Sequence, residues 1–392
     1  MRSLLWMVTL SCVATTQAYD VTWVDDKSIK EAAAKAAYGL VKFYTGNNTG
    51  VTPGNLPDPY NCWEAGVMFG TLIDYWWLTG DDGYNNITSQ AMLHQAGTPG
   101  DYMPDNQMMT EGNDDQGFWA MAAMSAAEHN FPDPPEIPDG SPKPKPSSTN
   151  WTGNGRYENL RRVAIGNGQD CSNIVRTQWS YNTDIFLHGA AVLYNLTESD
   201  TWKKLVDGMM SDVWNKFVKN IILYEQFCKK HKQCNQDQRS FKGYLARWMA
   251  ATSQVAAYTN TNITKLLKSS AQAVAKVCDG SPTRGYEGPA GTTCGFSWLD
   301  DSFDEIAGVG PQMNAVSIFT YTLMDKAKAP VTSKTGGTSK GNPVGGDTNS
   351  EKEVGKPKYK TIPTADKAGA DILTFFIAMG VVGGTAFLVM EC

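Results

Sequence analysis

Apolar residues recur at three- and four-residue spacing along most of the chain, separated by short polar turns. The stretch "KSIKEAAAKAAYGLVKFY" (Lys27 to Tyr44) joins strong helix formers to that spacing and predicts a helix. "WEAGVMFGTLIDYWWLTG" predicts a second, stopped at Gly80. Further helices are predicted over Ile87 to Gln95, Gln116 to Asn130, Asp184 to Tyr194, Asp200 to Ile222, Ser240 to Tyr258, Ile263 to Val277 and Pro311 to Leu323. No segment has the sustained Val/Ile/Thr alternation of a sheet protein, so the fold class is all-α. Helices recur in pairs, with acidic turns such as "TGDDGYNN" and "NLTESDTW" between them. That order suggests stacked helical hairpins, either a toroid or a solenoid.

Four segments depart from this pattern. Arg2 and the apolar run "LLWMVTLSCVATT" close in Thr16-Gln17-Ala18, which reads as a signal peptide over residues 1–18. Residues 132–155 are rich in Pro, Ser and Gly and predict a joint, not a packed helix. Residues 331–371 read as a flexible Ser/Thr/Gly/Lys stalk. Residues 372–392 are apolar and long enough to span a bilayer, which needs about 20 residues. The basic residues Lys356, Lys358, Lys360 and Lys367 precede that tail, so a GPI signal fits better than a membrane span. The folded body is thus expected over 19–330, on the outer face of the plasma membrane or in the cell wall.

Export changes the reading of the cysteines. Cys62, Cys171, Cys228, Cys234, Cys278 and Cys294 are expected as disulfides, Cys228 with Cys234 and Cys278 with Cys294 being near neighbours. Cys62 and Cys171 are left by elimination. Sequons at Asn47, Asn86, Asn150, Asn195 and Asn262 suit a secreted glycoprotein. A net charge of -6 without a basic block argues against a nucleic-acid partner. The histidines His94, His129, His188 and His231 have no metal spacing, and neither a metal nor another cofactor is expected.

The candidate chemistry lies in "TEGNDDQGFWAMAAMSAAEHNF". Asp114 and Asp115 stand side by side where an Ala- and Met-rich helix begins. Acids are at home at a helix N-terminus, so simple capping by Asn113 or Asp114 is one reading. The other is chemical, because Glu111, Asp114 and Asp115 crowd together beyond what capping requires. Glycoside hydrolysis needs two carboxyls, one ionised and one holding a proton. Trp119, one turn on, is expected to face the same cleft. Asp74, Tyr75, Trp76 and Trp77 are candidates for a sugar-stacking wall, with burial in the core the alternative for some of them at helical spacing. Tyr181 and Asn182, opening another helix, and Arg239 are further candidates for substrate contact, with a buried Asp237–Arg239 ion pair as the alternative.

The four blocks "WEAGVMFGTLIDYWWLTGDDGYN", "GNDDQGFWAMAAMSAAEHNFPDP", "TQWSYNTDIFLHGAAVLYNLT" and "DQRSFKGYLARWMAATSQ", in this order, resemble fungal glycoside hydrolase family 76, in its GPI-anchored cell-wall branch. The resemblance runs from about Asp26 to Leu323. It implies an (α/α)6 toroid and a retaining mannan endo-1,6-α-mannosidase, with Asp114 as nucleophile and Asp115 as general acid/base. It also implies an α-1,6-mannosyl glycan as partner and, in the wall branch, transfer of mannose-containing GPI remnants to wall β-glucan. Between "EHNFPDPP" and "RYENLRRVAIGNGQDCSN" the family continues with helical hairpins where this chain has its Pro-rich joint. Nine helices are predicted and a closed toroid needs twelve, so the ring is expected to be incomplete, with apolar faces exposed. A non-catalytic mannan-binding or structural wall protein is the alternative.

Overall fold

In the computed structural model, which describes residues 19–97, 102–107, 109–132, 177–231, 234–281 and 290–328, the periodic runs fold as helices and one short hairpin. The helices are α1 (Asp26–Val41), α2 (Cys62–Thr79), α3 (Asn85–Gln95), α4 (Asn113–Glu128), α5 (Ser180–Thr197), α6 (Asp200–Lys216), α7 (Gln226–His231), α8 (Phe241–Val255), α9 (Asn260–Lys276) and α10 (Val309–Tyr321). Gly80 stops α2 in the left-handed region, at φ 82°, where a side chain would be strained.

One prediction fails locally. The run Asp200 to Ile222 is helical only to Lys216. Its apolar end forms strands β1 (Val218–Lys219) and β2 (Ile222–Leu223), antiparallel, with Val218 opposite Leu223. The two linking residues, Asn220 and Ile221, both have positive φ (54° and 60°), as a tight hairpin turn requires. The six-residue α7 was not predicted.

The expected (α/α)6 hairpin architecture is present. Helices α2, α8 and α10 are buried on nearly all sides and form inner staves, whereas α1, α6 and α9 bury one face each. Packing runs in the series α4–α2–α10–α8–α5, with α3 against α2 and α6 behind α5. Its two ends, α4 and α5, are not packed face to face among the described residues. They flank residues 133–176, the expected place of the incomplete ring, which lie outside those described. On α5, Phe186, Val192 and Leu196 are exposed, Leu196 by 74%.

A buried polar hub joins four staves. The Asp74 carboxylate of α2 receives Arg247 Nε of α8 at 2.8 Å and the Tyr321 hydroxyl of α10 at 2.6 Å. Arg247 Nη2 also donates to Ser125 Oγ of α4 (2.8 Å) and Gly70 O of α2 (3.3 Å). His129, at the end of α4, places Nε2 3.4 Å from Asp74 Oδ1. Gly70 makes the crossing possible, since a Cβ there would stand 2.7 Å from Arg247 Nη1. Burial pushes the Asp74 carboxyl up, but Arg247, His129 and Tyr321 together hold it below its ordinary value.

The Cys228–Cys234 and Cys278–Cys294 disulfides are formed as expected. Cys62 is a free thiol in this structure, and its expected partner Cys171 lies outside the described residues. The expected signal peptide (1–18), the joint from 133 on, the stalk (331–371) and the hydrophobic end (372–392) lie outside them as well. No helix among the described residues is long and apolar enough to cross a membrane.

Removing one side of the hub strands the other as a buried charge. Arg247→Met should therefore cost about 3–5 kcal/mol of unfolding free energy. Urea denaturation checks this, and a loss below about 1 kcal/mol, the level of an exposed pair, would show that the hub does not hold the staves.

Candidate active site

The first turns of the inner helices meet at one mouth. Trp63 at the start of α2 packs on Phe118 of α4 (5.1 Å between ring centroids) and on Phe241 and Tyr244 of α8 (6.3 and 5.7 Å). Tyr181 at the start of α5 lies on Phe241 at 4.4 Å. The first residue of α10, Val309, donates its N–H to the Tyr60 hydroxyl just before α2. Helix N-termini carry unpaired N–H groups and the positive end of the dipole, so a mouth built from them favours carboxylates.

Asp114 and Asp115 stand in unequal surroundings. The N-cap of α4 is Gly112, neither Asn113 nor Asp114. Asp115 closes the cap, accepting the Gly112 N–H on Oδ2 at 2.7 Å and, across the helix interface, the Trp63 N–H on Oδ1 at 2.7 Å. Burial raises its pKa against the pull of the Gly112 N–H, and the neighbouring Asp114 charge adds to the rise. Each oxygen takes one N–H, so a lone pair remains for a proton. Asp114 is exposed at the mouth, close enough to Tyr181 for its charge to raise the phenol pKa beyond what burial alone does.

The other sequence candidates separate. Tyr181 and Asn182 stand at the mouth, and Asn182 hydrogen-bonds the Tyr181 side chain. Arg239 is there too, lining a cavity of about 400 Å³ with Phe296, Asp304 and the Cys228–Cys234 disulfide. The Asp237–Arg239 pair is not the arrangement found, because Asp237 accepts from the amides of Asn61 (2.9 Å) and Asn235 (3.4 Å). Four expectations are corrected. Trp119 is fully buried, stacked on Phe69 at 5.7 Å with Nε1 donating to Cys62 Sγ, because its helix position points into the α2–α4 interface. Asp74 is consumed by the hub. Tyr75 is 1% exposed and donates its hydroxyl to Asp81 at 2.5 Å. Trp76 is partly buried but sits at the C-terminal end of α2, the pole opposite the acids.

Four mouth residues escaped the sequence reading. Glu64 is fully buried; Oε2 accepts the Asn61 N–H at 3.0 Å, and Oε1 receives no hydrogen bond among the described residues. The spacing Asn61-x-x-Glu64 is a capping-box signature and was available. Burial pushes Glu64 up to about 8 against the Asn61 N–H, with Asp237 adding to the rise. Asp184 and Glu225 are also buried. Burial, with the Glu225 charge beside it, holds Asp184 well above its ordinary value, and burial takes Glu225 to about 7 despite its bonds from Ser180. The Tyr244 hydroxyl is buried without a hydrogen-bond partner among the described residues. No sequence pattern distinguishes those three from ordinary core positions.

Comparison with known proteins follows this geometry. The model of the glycosyl hydrolase family 76 domain matches residues 28–139 and 156–334. Mannan endo-1,6-alpha-mannosidase DCW1 of Saccharomyces cerevisiae is 33% identical over 441 aligned positions, covering 95% of this chain and 96% of its own. Mannan endo-1,6-alpha-mannosidase DFG5 of the same yeast is 30% identical, over 97% of this chain and 96% of its own. The crystal structure of Dfg5 from Chaetomium thermophilum in complex with glucosamine superposes with a TM-score of 0.69 at 32% identity, covering 84% of this chain and 97% of that one. The DCW1 alignment is longer than the 392 residues of this chain, so that relative carries residues with no counterpart here.

Glu64 gives the mouth a pH signature. Its folded pKa is raised, so its contribution to stability is complete below the unfolded value near 4.5 and is lost as pH rises through about 8. Glu64→Gln keeps an acceptor for Asn61 without a charge. Its melting temperature relative to the unmodified chain should therefore climb between pH 5 and 9; a constant difference across that range would mean Glu64 is ionised throughout.

Proposed function

The chain belongs to glycosyl hydrolase family 76, and on that premise we propose that it is a cell-surface glycosidase or transglycosidase acting on α-1,6-linked mannose in fungal cell-wall biogenesis. The observation that carries this reading is the unequal carboxyl pair at the mouth. Asp114 is exposed and has no part in the cap. Asp115 is partly desolvated and fixed by two N–H donors.

Catalysis in this reading retains the anomeric configuration. The Asp114 carboxylate attacks C1 as the bond from C1 to the glycosidic oxygen breaks, and Asp115 gives its proton to that oxygen. Asp115, now ionised, takes a proton from an incoming hydroxyl whose oxygen displaces Asp114 from C1. Water as that hydroxyl gives hydrolysis; a sugar of wall β-glucan gives transfer. The Asp115 pKa, raised by burial, suits a group that must hold a proton and then accept one. The mouth adds Tyr181, Asn182 and Arg239 as substrate contacts.

A GPI tether through the C-terminal segment is part of the same proposal. The last described residue, Lys328, follows α10 at the pole opposite the acids. A second reading, a mannan-binding wall protein without turnover, is favoured by the residues that DCW1 carries in excess.

Asp114→Asn is the discriminating variant. It should lower turnover of α-1,6-mannan oligosaccharides at least a thousandfold while leaving their binding and the melting temperature nearly unchanged. Release of reducing ends, read beside calorimetric binding, checks this. Binding without turnover in the unmodified chain would establish the second reading.

A further inference from the structure

A second cavity, of about 660 Å³, lies where the inner helices end. Its walls include Trp76 and Trp77 near the end of α2, Glu128 and His129 at the end of α4, and Asn130 just beyond. The acids stand at the opposite ends of the same helices. An α-helix rises 1.5 Å per residue, so the two poles are about 25 Å apart along α2 and α4. This cavity cannot be part of the mouth.

We propose that this cavity is a second glycan-binding site, taking a neutral hexopyranose chain. Its volume lies in the range of small-ligand pockets, about 300–1,000 Å³. The aromatic wall is rigid: Trp77 stacks on His129 at 3.7 Å with 4° between the ring planes, and Trp76 meets Phe131 edge-on at 5.1 Å. His129 is itself held beside Asp74, so the wall is tied to the buried hub. Indole surface fixed in this way presents flat apolar area at no rotamer cost, the property that suits the C–H faces of a pyranose.

The polar lining suits a polyol. Lys30 is tied to Thr79 O at 2.9 Å and Lys326 to both oxygens of Asp26 at 2.6 and 2.8 Å. Lys328 lines the same cavity as a further donor. Glu128 adds a partly buried carboxyl, raised by burial against the pull of His129. Ammonium groups donate to sugar hydroxyls and carboxyl oxygens accept from them, so the lining answers a polyol in both directions. The choice of α-1,6-linked mannose as the glycan rests on the function proposed above; the cavity chemistry itself suits a neutral polyol.

The test uses the full chain carrying Asp114→Asn, with 15N-labelled tryptophan, titrated with α-1,6-mannotriose. Two binding events are expected by calorimetry, one of them accompanied by shifts of the Trp76 and Trp77 indole N–H signals. Trp77→Ala in the same background should reduce two events to one. Glu128→Gln, which keeps the shape of the wall, should weaken that same event at least fivefold, so the result does not hang on Trp77→Ala folding. Binding with no change at Trp76 and Trp77 overturns this second site and leaves the mouth reading intact. Shifts at Trp76 and Trp77 with only one event support the second site and count against substrate binding at the mouth. No binding at all overturns both.

Discussion

The buried ion pair between Asp74 and Arg247 is the constraint on which the inner helices depend. Two charges removed from water are tolerated only when every remaining lone pair and proton is answered. Here the answers come from three helices: Ser125 and His129 of the α4 segment, Tyr321 of α10, and the Gly70 carbonyl of α2 itself. A fixed pattern of donors at mid-height sets how the helices rise past one another. Their first turns can then meet at one level and place a Trp63 N–H 2.7 Å from an Asp115 oxygen.

The meeting of first turns explains why so many carboxyls gather at the mouth. Like charges this close are unfavourable in an ordinary interior. Helix dipoles and free N–H groups offset part of that cost, as at Asp115 and Glu64. Protonation offsets the rest, since burial raises Glu64 to about 8 and Glu225 to about 7, and holds Asp184 well above its ordinary value. The acid cluster is therefore a set of unequal groups, one exposed and the others differing in the proton each holds. Such inequality is what acid/base chemistry draws on.

The helices were legible in the sequence because their apolar spacing is local information. Their partners were not. Trp119 and Tyr75 look like cleft aromatics at three- and four-residue spacing, yet the same spacing buries them once α2 and α4 pack. Asp74, in an aromatic run, reads as a sugar contact until Arg247, 173 residues later, turns out to face it. Asp114 and Asp115 were legible as a pair, but their division of labour depends on Gly112 capping α4 and on Trp63 lying opposite. The β1–β2 hairpin escaped because Ile221 and Ile222 continue a helical-looking apolar run, while only Asn220 hints at a turn.

The acids are fixed by contacts among the described helices. The contacts that hold Asp115 come from its own helix and from α2. The hub that aligns those helices draws on α2, α4, α8 and α10. None of these groups lies on α5, where Phe186, Val192 and Leu196 stay exposed. The unequal surroundings of Asp114 and Asp115 therefore rest on the α2–α4 interface and on the hub below it, and a change confined to α5 should leave them in place.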